Sequence, residues 1–318
     1  MADKIKLNII LVLLSIFAVS SQADEDPLKG TILGPIPKEL SQIIDKYKQP
    51  INTLSIAANS SCAIKKDGMV QCWGPARRPV PSDLGRVIAI SNGDNHTCAI
   101  KVDGQVQCWS DHGKGDRSVV PVDLGPVKAI SVGLDHACTI RIDGTAKCWG
   151  WGNNYYGQAD VPADLGPIVA ISSGGEHNCA VKNDGIAKCW GNNNQDQNIL
   201  PTNLGPVKAI STGGFGACAI RTDNMVTCWG NGMDIPPATM GPVNQISVHT
   251  FGSCAIKNGG SAQCWGDFSG AKVPPLLGKV TEISAAGFHT CARKDNGVVR
   301  CWGAGKKGQT DVPQSLAE

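Results

Sequence analysis

From residue 51 onward, short apolar runs alternate with polar, glycine-bearing turns, a pattern of short strands joined tightly rather than of long helices. The stretch Cys62-Ala-Ile-Lys-Lys-Asp-Gly-Met-Val-Gln-Cys72-Trp73-Gly74 sets the type: two strands around an Asp67-Gly68 turn. With a three-residue loop, Lys66-Asp67-Gly68, and glycine in the left-handed position, facing residues have numbers that sum to 134. Cys62 then faces Cys72 at a non-hydrogen-bonded site, where Cα atoms approach to about 4.5 Å, within reach of a disulfide. A two-residue Asp-Gly turn would shift the partner by one and lose that match.

The pattern repeats. Cysteines fall in pairs ten apart: Cys62/Cys72, Cys98/Cys108, Cys138/Cys148, Cys179/Cys189, Cys218/Cys228, Cys254/Cys264 and Cys291/Cys301. Successive first cysteines are 36, 40, 41, 39, 36 and 37 residues apart, a period of about 38 that signals a solenoid or propeller. Tryptophan follows every second cysteine, and eight positions before every first cysteine stands Leu54 or an isoleucine, always followed by serine. A turn of the form Val80-Pro81 to Leu84-Gly85 recurs after the hairpins, drifts in the fifth and sixth copies to Pro237–Gly241 and Pro274–Gly278, and ends the chain as Val312-Pro313 to Leu316. Apolar strands in seven copies bury both faces only if radial closure supplies neighbours. The expected fold is all-β: a seven-bladed β-propeller over 51–318 with one intra-hairpin disulfide per blade. Zinc is disfavoured, because its cysteine pairs sit two to four residues apart and need a second pair. No metal or cofactor is expected.

Lys4 and Lys6 precede an apolar run from Leu7 to Val19, and Ser21-Gln22-Ala23 offers small residues for cleavage, so 1–23 reads as a signal peptide. That run falls short of the roughly 20 residues a spanning helix needs. Residues 24–50 carry no repeat and form an N-terminal extension in which Pro37 to Lys48 suits a short helix. Fourteen cysteines in an exported chain imply an oxidising space, so the expected location is secreted or periplasmic. The formal charge of +2 provides no overall field for nucleic acid or an anionic membrane. Neither a nucleic-acid partner nor stable membrane insertion is expected.

His-x-Cys-Ala-Ile, Asp-Gly, Cys-Trp-Gly and Gly-Gln-x-x-Val-Pro together resemble the regulator of chromosome condensation repeat over roughly 51 to 318. Gly157-Gln158-Ala-Asp-Val161-Pro162 and Gly308-Gln309-Thr-Asp-Val312-Pro313 are most similar to its secreted branch, which includes β-lactamase inhibitor protein II. The paired cysteines resemble the ectodomain of plant crinkly-type receptor kinases. The resemblance implies the seven-bladed propeller and leaves function open, since this fold hosts exchange factors, inhibitors and receptor ectodomains. Nucleotide exchange on a nuclear GTPase conflicts with an exported, cysteine-rich chain.

Candidate chemistry is absorbed by the repeat. Asp67, Asp103, Asp143, Asp184 and Asp223 recur at one turn position and read as turn formers. His96, His136, His177 and His289 each lie two residues before a first cysteine and read as hydrogen-bonding residues between blades. The repeat tryptophans read as packing, their indole N–H groups seeking a carbonyl. No nucleophile with a base, and no carboxylate pair in a cleft, stands out, so the chain reads as a non-enzyme.

Function is therefore sought where the units differ. Three residues before each first cysteine stand Asn59, Asn95, Asp135, Glu176, Phe215, Phe251 and Phe288, which places three of the chain's five phenylalanines at one repeat position. Those rings either fill a gap between blades or form an exposed patch. The leading expectation is a binding module for another exported or cell-surface protein, with Phe215, Phe251 and Phe288 as anchors beside Asp135 and Glu176. An inhibitor of an exported enzyme is one concrete form. Trp151, Tyr155 and Tyr156, in a loop outside the repeat positions, are a further contact candidate and the basis of an alternative, lectin-like reading.

Overall fold

Residue pairing in the first hairpin follows the expected register: Ser61 opposite Trp73, Cys62 opposite Cys72, Ile64 opposite Val70. The loop holds three residues, because Gly68 N donates to Lys65 O at 2.9 Å and Lys65 N to Met69 O at 2.9 Å, with Gly68 at φ 84°. Only a residue free of Cβ strain sits easily there. Asp67 Oδ1 accepts from Met69 N at 2.9 Å, and Asp103, Asp143, Asp184 and Asp223 repeat that bond, so these carboxylates are turn formers.

Every hairpin holds its own disulfide: Cys62–Cys72, Cys98–Cys108, Cys138–Cys148, Cys179–Cys189, Cys218–Cys228, Cys254–Cys264 and Cys291–Cys301, with Cα atoms 3.9–4.1 Å apart. That is closer than an unbridged pair would stand, since the bridge draws the strands together. The two members of a pair are not equally covered. Each first cysteine lies on a central strand and is at most 1% exposed, whereas Cys108 and Cys148 are 6% and 7% exposed. Cys72, Cys189, Cys228, Cys264 and Cys301 are only partly buried, because the outer strand that carries them has no neighbour on its far side. These cysteines brace the frame and contribute no ligand or nucleophile to a site.

The computed structural model describes residues 53–110, 119–150, 154–231 and 233–318. The expected signal peptide (1–23), the extension (24–50) and Trp151 lie outside the described residues. Seven antiparallel sheets of three strands follow in chain order. In the first blade β1 (Leu54–Ala57) is innermost, β2 (Ser60–Ile64) central and β3 (Val70–Trp73) outermost. The corresponding inner strands are Val87–Asn92, Val127–Val132, Ile168–Ser173, Val207–Thr212, Val243–His249 and Val280–Ala285. They surround a cavity of about 210 Å³.

The serine that follows every inner-strand Leu or Ile forms a ring of bonds around that cavity. Ser55 Oγ accepts from Asn92 N, Ser91 from Val132 N, Ser131 from Ser173 N, and so on, at 2.8–3.2 Å. Each bond crosses from one blade to the next and satisfies a backbone donor that has no strand partner on that side. The ring closes where Ile56 N donates to Ser284 Oγ at 3.2 Å.

The hydrophobic core is divided among the seams. Seven buried clusters each draw on two adjacent blades, such as Ile64, Val70, Leu84, Ile90 and Trp109 between the first and second. Indole N–H groups cross the seams too: Trp190 Nε1 donates to Gln158 O at 3.2 Å, and Trp229, Trp265 and Trp302 bond likewise to the loop of the preceding blade. The first seam departs from this rule. There Arg78 is buried and its guanidinium donates to Asn92 Oδ1, Gly93 O and Thr97 Oγ1, each at 3.3 Å.

The last blade closes on the first with the same devices. Trp73 Nε1 donates to Gln309 O at 3.1 Å, and a short helix α1 (Gln314–Ala317) puts Leu316 among Leu54, Ile56 and Trp73. Leu316 N donates to Pro313 O at 2.9 Å, as Leu84 N does to Pro81 O at 3.1 Å in the first copy of that turn. One latch has no counterpart among the first five blades. Glu282 is buried, accepts from Thr53 N at 2.7 Å, from Leu54 N at 2.9 Å and from the Thr53 hydroxyl, and lies 3.6 Å from Arg293. Gln245 does the same with its amide oxygen one seam earlier, accepting from Ile283 N at 3.0 Å. Glu282→Ala is expected to cost about 3–5 kcal/mol, because two backbone donors lose their acceptor and half-buried Arg293 keeps only backbone carbonyls to face its charge. Glu282→Gln keeps an acceptor of the kind Gln245 uses and should cost under about 1 kcal/mol. Urea titration of both variants checks this; equal losses would show that the carboxylate's charge, rather than its acceptor oxygens, holds the seam.

Candidate protein-binding face

Strand direction gives each blade two different ends. The inner-to-middle turn and the exit of the outer strand lie at one end, while the Asp-Gly hairpin turn and the start of the next inner strand lie at the other, joined by bonds such as Val87 N to Gly68 O at 2.9 Å. The variable position belongs to the first end. Its backbone is fixed by the strand exit: Asn192 N donates to Glu176 O at 2.9 Å, Ala304 N to Phe288 O at 2.8 Å and Ala76 N to Asn59 O at 3.2 Å.

Beside it the blades nearly touch. A Cβ on Gly133 would sit 2.4 Å from Gly174 O, and one on Gly174 would sit 2.2 Å from Gly213 O. Glycine is therefore required at these turns for backbone approach.

Phe215, Phe251 and Phe288 are 44%, 51% and 47% exposed. They do not fill the space between blades. That space belongs to the next residue or its substitutes: His136 Nε2 meets Asn178 Oδ1 across one seam at 2.8 Å, and His289 Nε2 meets Ser61 Oγ across the last at 2.8 Å. Where glycine replaces the histidine, a loop side chain enters instead. A Cβ on Gly216 would lie 2.4 Å from Met233 Cγ, and one on Gly252 would lie 2.5 Å from the Phe268 ring. Phe268 thus packs inside while the other three rings face solvent.

Burial keeps the seam histidines neutral, pushing His177 and His289 down to about 4 and His136 below its ordinary value. The Ser61–His289 contact has the spacing of a nucleophile and base, yet both residues are fully buried and no substrate reaches them. Among the described residues no group of three His, Cys, Asp or Glu side chains is arranged to hold a metal ion.

Around the exposed rings stand further residues. His249 occupies a site held by glycine or alanine in the other blades; its ring centroid is 6.3 Å from that of Phe251, and burial pushes its pKa down to about 4. Asp135 and Glu176 are half-buried; Asn95 Nδ2 donates to Asp135 Oδ1 at 3.0 Å and Asn192 Nδ2 to Glu176 Oε2 at 2.9 Å. Asn59 is exposed. Tyr155, 80% exposed, meets Tyr156 edge-on at 4.9 Å in the loop of the third blade. Sequence reasoning passed over Asp94, Asp234, Ile235 and Asp267, which are exposed at the same end. Asp94 adjoins the variable position, so reading two columns of the repeat instead of one would have found it.

The sequence matches the Regulator of chromosome condensation (RCC1) repeat at residues 87–116, 127–158, 168–197, 207–232 and 280–309. Comparison with curated proteins gives no match. Among solved structures the fold is similar to the CRINKLY WD40 ectodomain of the Arabidopsis thaliana receptor kinase ACR4, at 24% identity and TM-score 0.67 over 81% of this chain and 96% of that one. The ectodomain of the Physcomitrella patens receptor kinase CR4 is similar at 21% identity and TM-score 0.67, over 80% of this chain and 74% of the other. Yeast RCC1 (Prp20), solved with Kap60, is similar at 15% identity and TM-score 0.64, over 94% and 88%. The repeat is matched in five blades, and the first and sixth blades, outside the match, carry the same hairpin and disulfide: the chain is a seven-bladed propeller in which five blades match the regulator of chromosome condensation repeat.

Proposed function

We propose that this propeller is an exported protein-binding module whose working surface is the Phe215/Phe251/Phe288 face, bordered by Asp135, Glu176 and the loop of Tyr155 and Tyr156. The observation that carries the reading is the half-exposure of three phenylalanines at one repeat position on consecutive blades. Half-exposed aromatics ringed by polar groups are the anchors on which protein interfaces concentrate their binding energy. A frame stapled in every blade presents them with little ordering cost. Exported location is supported by the seven disulfides, which persist only under oxidising conditions, and by the leader-like N-terminus. No helix among the described residues is long and apolar enough to cross a membrane.

The test uses oxidised protein as bait in the extracellular fraction, with Phe215→Ala, Phe251→Ala and Phe288→Ala measured singly against whatever partner is captured. Each replacement is expected to weaken binding by about 2 kcal/mol or more. Thermal unfolding should stay close to wild type, because a half-exposed ring leaves no cavity. A loss of roughly 3–5 kcal/mol in folding stability would mark the rings as core and overturn the proposal. Unchanged binding would overturn it as well. An inhibitor of an exported enzyme is the concrete form to assay first. A single carbohydrate site on Tyr155 and Tyr156 is the second reading, favoured by the exposure of Tyr155, and a glycan array separates it from the first.

A further inference from the structure

Inner strands lie at the edge of their sheets, so every second N–H points away from the middle strand, toward the preceding blade. One set of these donors belongs to the serine ring, as where Val132 N donates to Ser91 Oγ at 3.0 Å. The set two residues earlier is treated unequally. At the last two seams a side chain of the preceding blade accepts: Gln245 Oε1 takes Ile283 N at 3.0 Å, and Glu282 Oε1 takes Leu54 N at 2.9 Å. At four other seams the corresponding residue is Ala89, Ala129, Ala170 or Ala209, which has no acceptor to offer. The donors there are Ile130, Ile171, Ile210 and Ile246 N, each two residues before an N–H of the serine ring, and no group among the described residues accepts from them. All of these alanines and isoleucines line the central cavity of about 210 Å³. Water can meet a backbone donor that the protein leaves unmatched. What points past water is that these donors share one cavity with Lys128, the single ionisable side chain in its lining.

We propose that this cavity binds a small carboxylic acid in its ionised form, its oxygens accepting from the unmatched isoleucine N–H groups as Glu282 accepts from Leu54 N, and its charge answered by Lys128. The carbonyls of the same residues share that strand edge, yet both built-in fillers, Gln245 and Glu282, turn an oxygen toward the N–H. That precedent selects an acceptor, and the lysine selects its charge. Asp143 feels the Lys128 charge but answers chiefly to Thr145, accepting from its hydroxyl at 2.7 Å and its N–H at 2.8 Å. Entry is from the hairpin-turn end, where Ile88 and Asn244 line the cavity and are exposed. The volume lies below the roughly 300–1,000 Å³ of drug-sized sites, which suits a free small acid rather than a segment of another chain. This site opens away from the phenylalanine face, and the inference stands independently of the protein-binding reading.

The test is isothermal titration calorimetry of the full oxidised chain with glutarate and with glutaramide, its uncharged diamide, alongside the shift each causes in thermal unfolding. Glutarate is expected to bind at least about tenfold tighter than glutaramide and to raise the melting temperature as its concentration rises. Lys128→Met should weaken glutarate about tenfold or more. Ala129→Gln sets an amide oxygen before Ile171 N, as Gln245 does before Ile283 N, and should abolish binding while leaving the melting temperature of the ligand-free chain at or above wild type. If that variant destabilises the chain, Lys128→Met decides alone, and undiminished binding overturns the proposal. Neither heat nor a melting shift with glutarate overturns it. Binding that neither variant changes places the acid elsewhere and overturns it too, and equal affinity for glutaramide overturns the carboxylate.

Discussion

Reducing and alkylating the fourteen cysteines is expected to leave the chain unfolded at room temperature, with near-ultraviolet dichroism lost and no cooperative thermal transition. Each bridge closes a loop of ten residues, and by the chain-entropy argument such a loop contributes about 2–3 kcal/mol. The seven bridges lie in different blades and share no partner, so their effects add. Together they come to about 20 kcal/mol, more than the roughly 5–15 kcal/mol by which a domain is usually stable. Strands this short, in blades of three, offer little else locally; what remains is the packing of the seams. Removing one bridge, as in a Cys179→Ala, Cys189→Ala double variant, should cost only about 2–3 kcal/mol and leave the fold intact. A reduced chain that still melts cooperatively would mean that the seam clusters alone carry the fold.

Stability should also fall steeply in mild acid. His136, His177 and His289 are fully buried, and burial depresses each below the ordinary imidazole value, the latter two to about 4. Their folded values lie below their unfolded ones, so below about pH 6.5 the unfolded chain binds more protons and stability drops until the pH reaches the folded value. A displacement of that size is worth about 3 kcal/mol per ring. Glu282 works in the opposite sense: burial raises it above the usual carboxylate range, so its protonation favours the folded chain in acid. It is one group against several. Urea midpoints at pH 7, 5.5 and 4.5 should therefore decline, and His177→Gln should remove one ring's share of the slope. A flat profile would show that the rings are already charged or solvated at neutral pH.

Much of this was legible beforehand because the repeat is in register with the chemistry. A ten-residue cysteine spacing around a three-residue loop admits one hairpin register, and the structure has it in all seven blades. The Asp-Gly turns follow from a local rule that holds wherever the motif recurs, the carboxylate accepting from the N–H two residues on. The serine beside each inner-strand Leu or Ile was visible as a constant and had no reason within its own blade. Its partner is a backbone N–H one blade on, about 40 residues away, so only closure gave it a role.

The same limit governed the site. Sequence alone determined that the rings share a rim, because equal repeat positions occupy equivalent places in a closed array. It did not determine whether they faced inward or outward. That depended on what else claimed the space between blades: histidine in four of them, and Met233 and Phe268 where glycine stands in the fifth and sixth. Nor did it reveal the Glu282 latch or the buried Arg78, each of which satisfies donors or acceptors on a neighbouring blade. Periodicity encodes what each unit does for itself, whereas burial and hydrogen bonding at a seam depend on pairs of residues that the chain brings together only when the ring shuts.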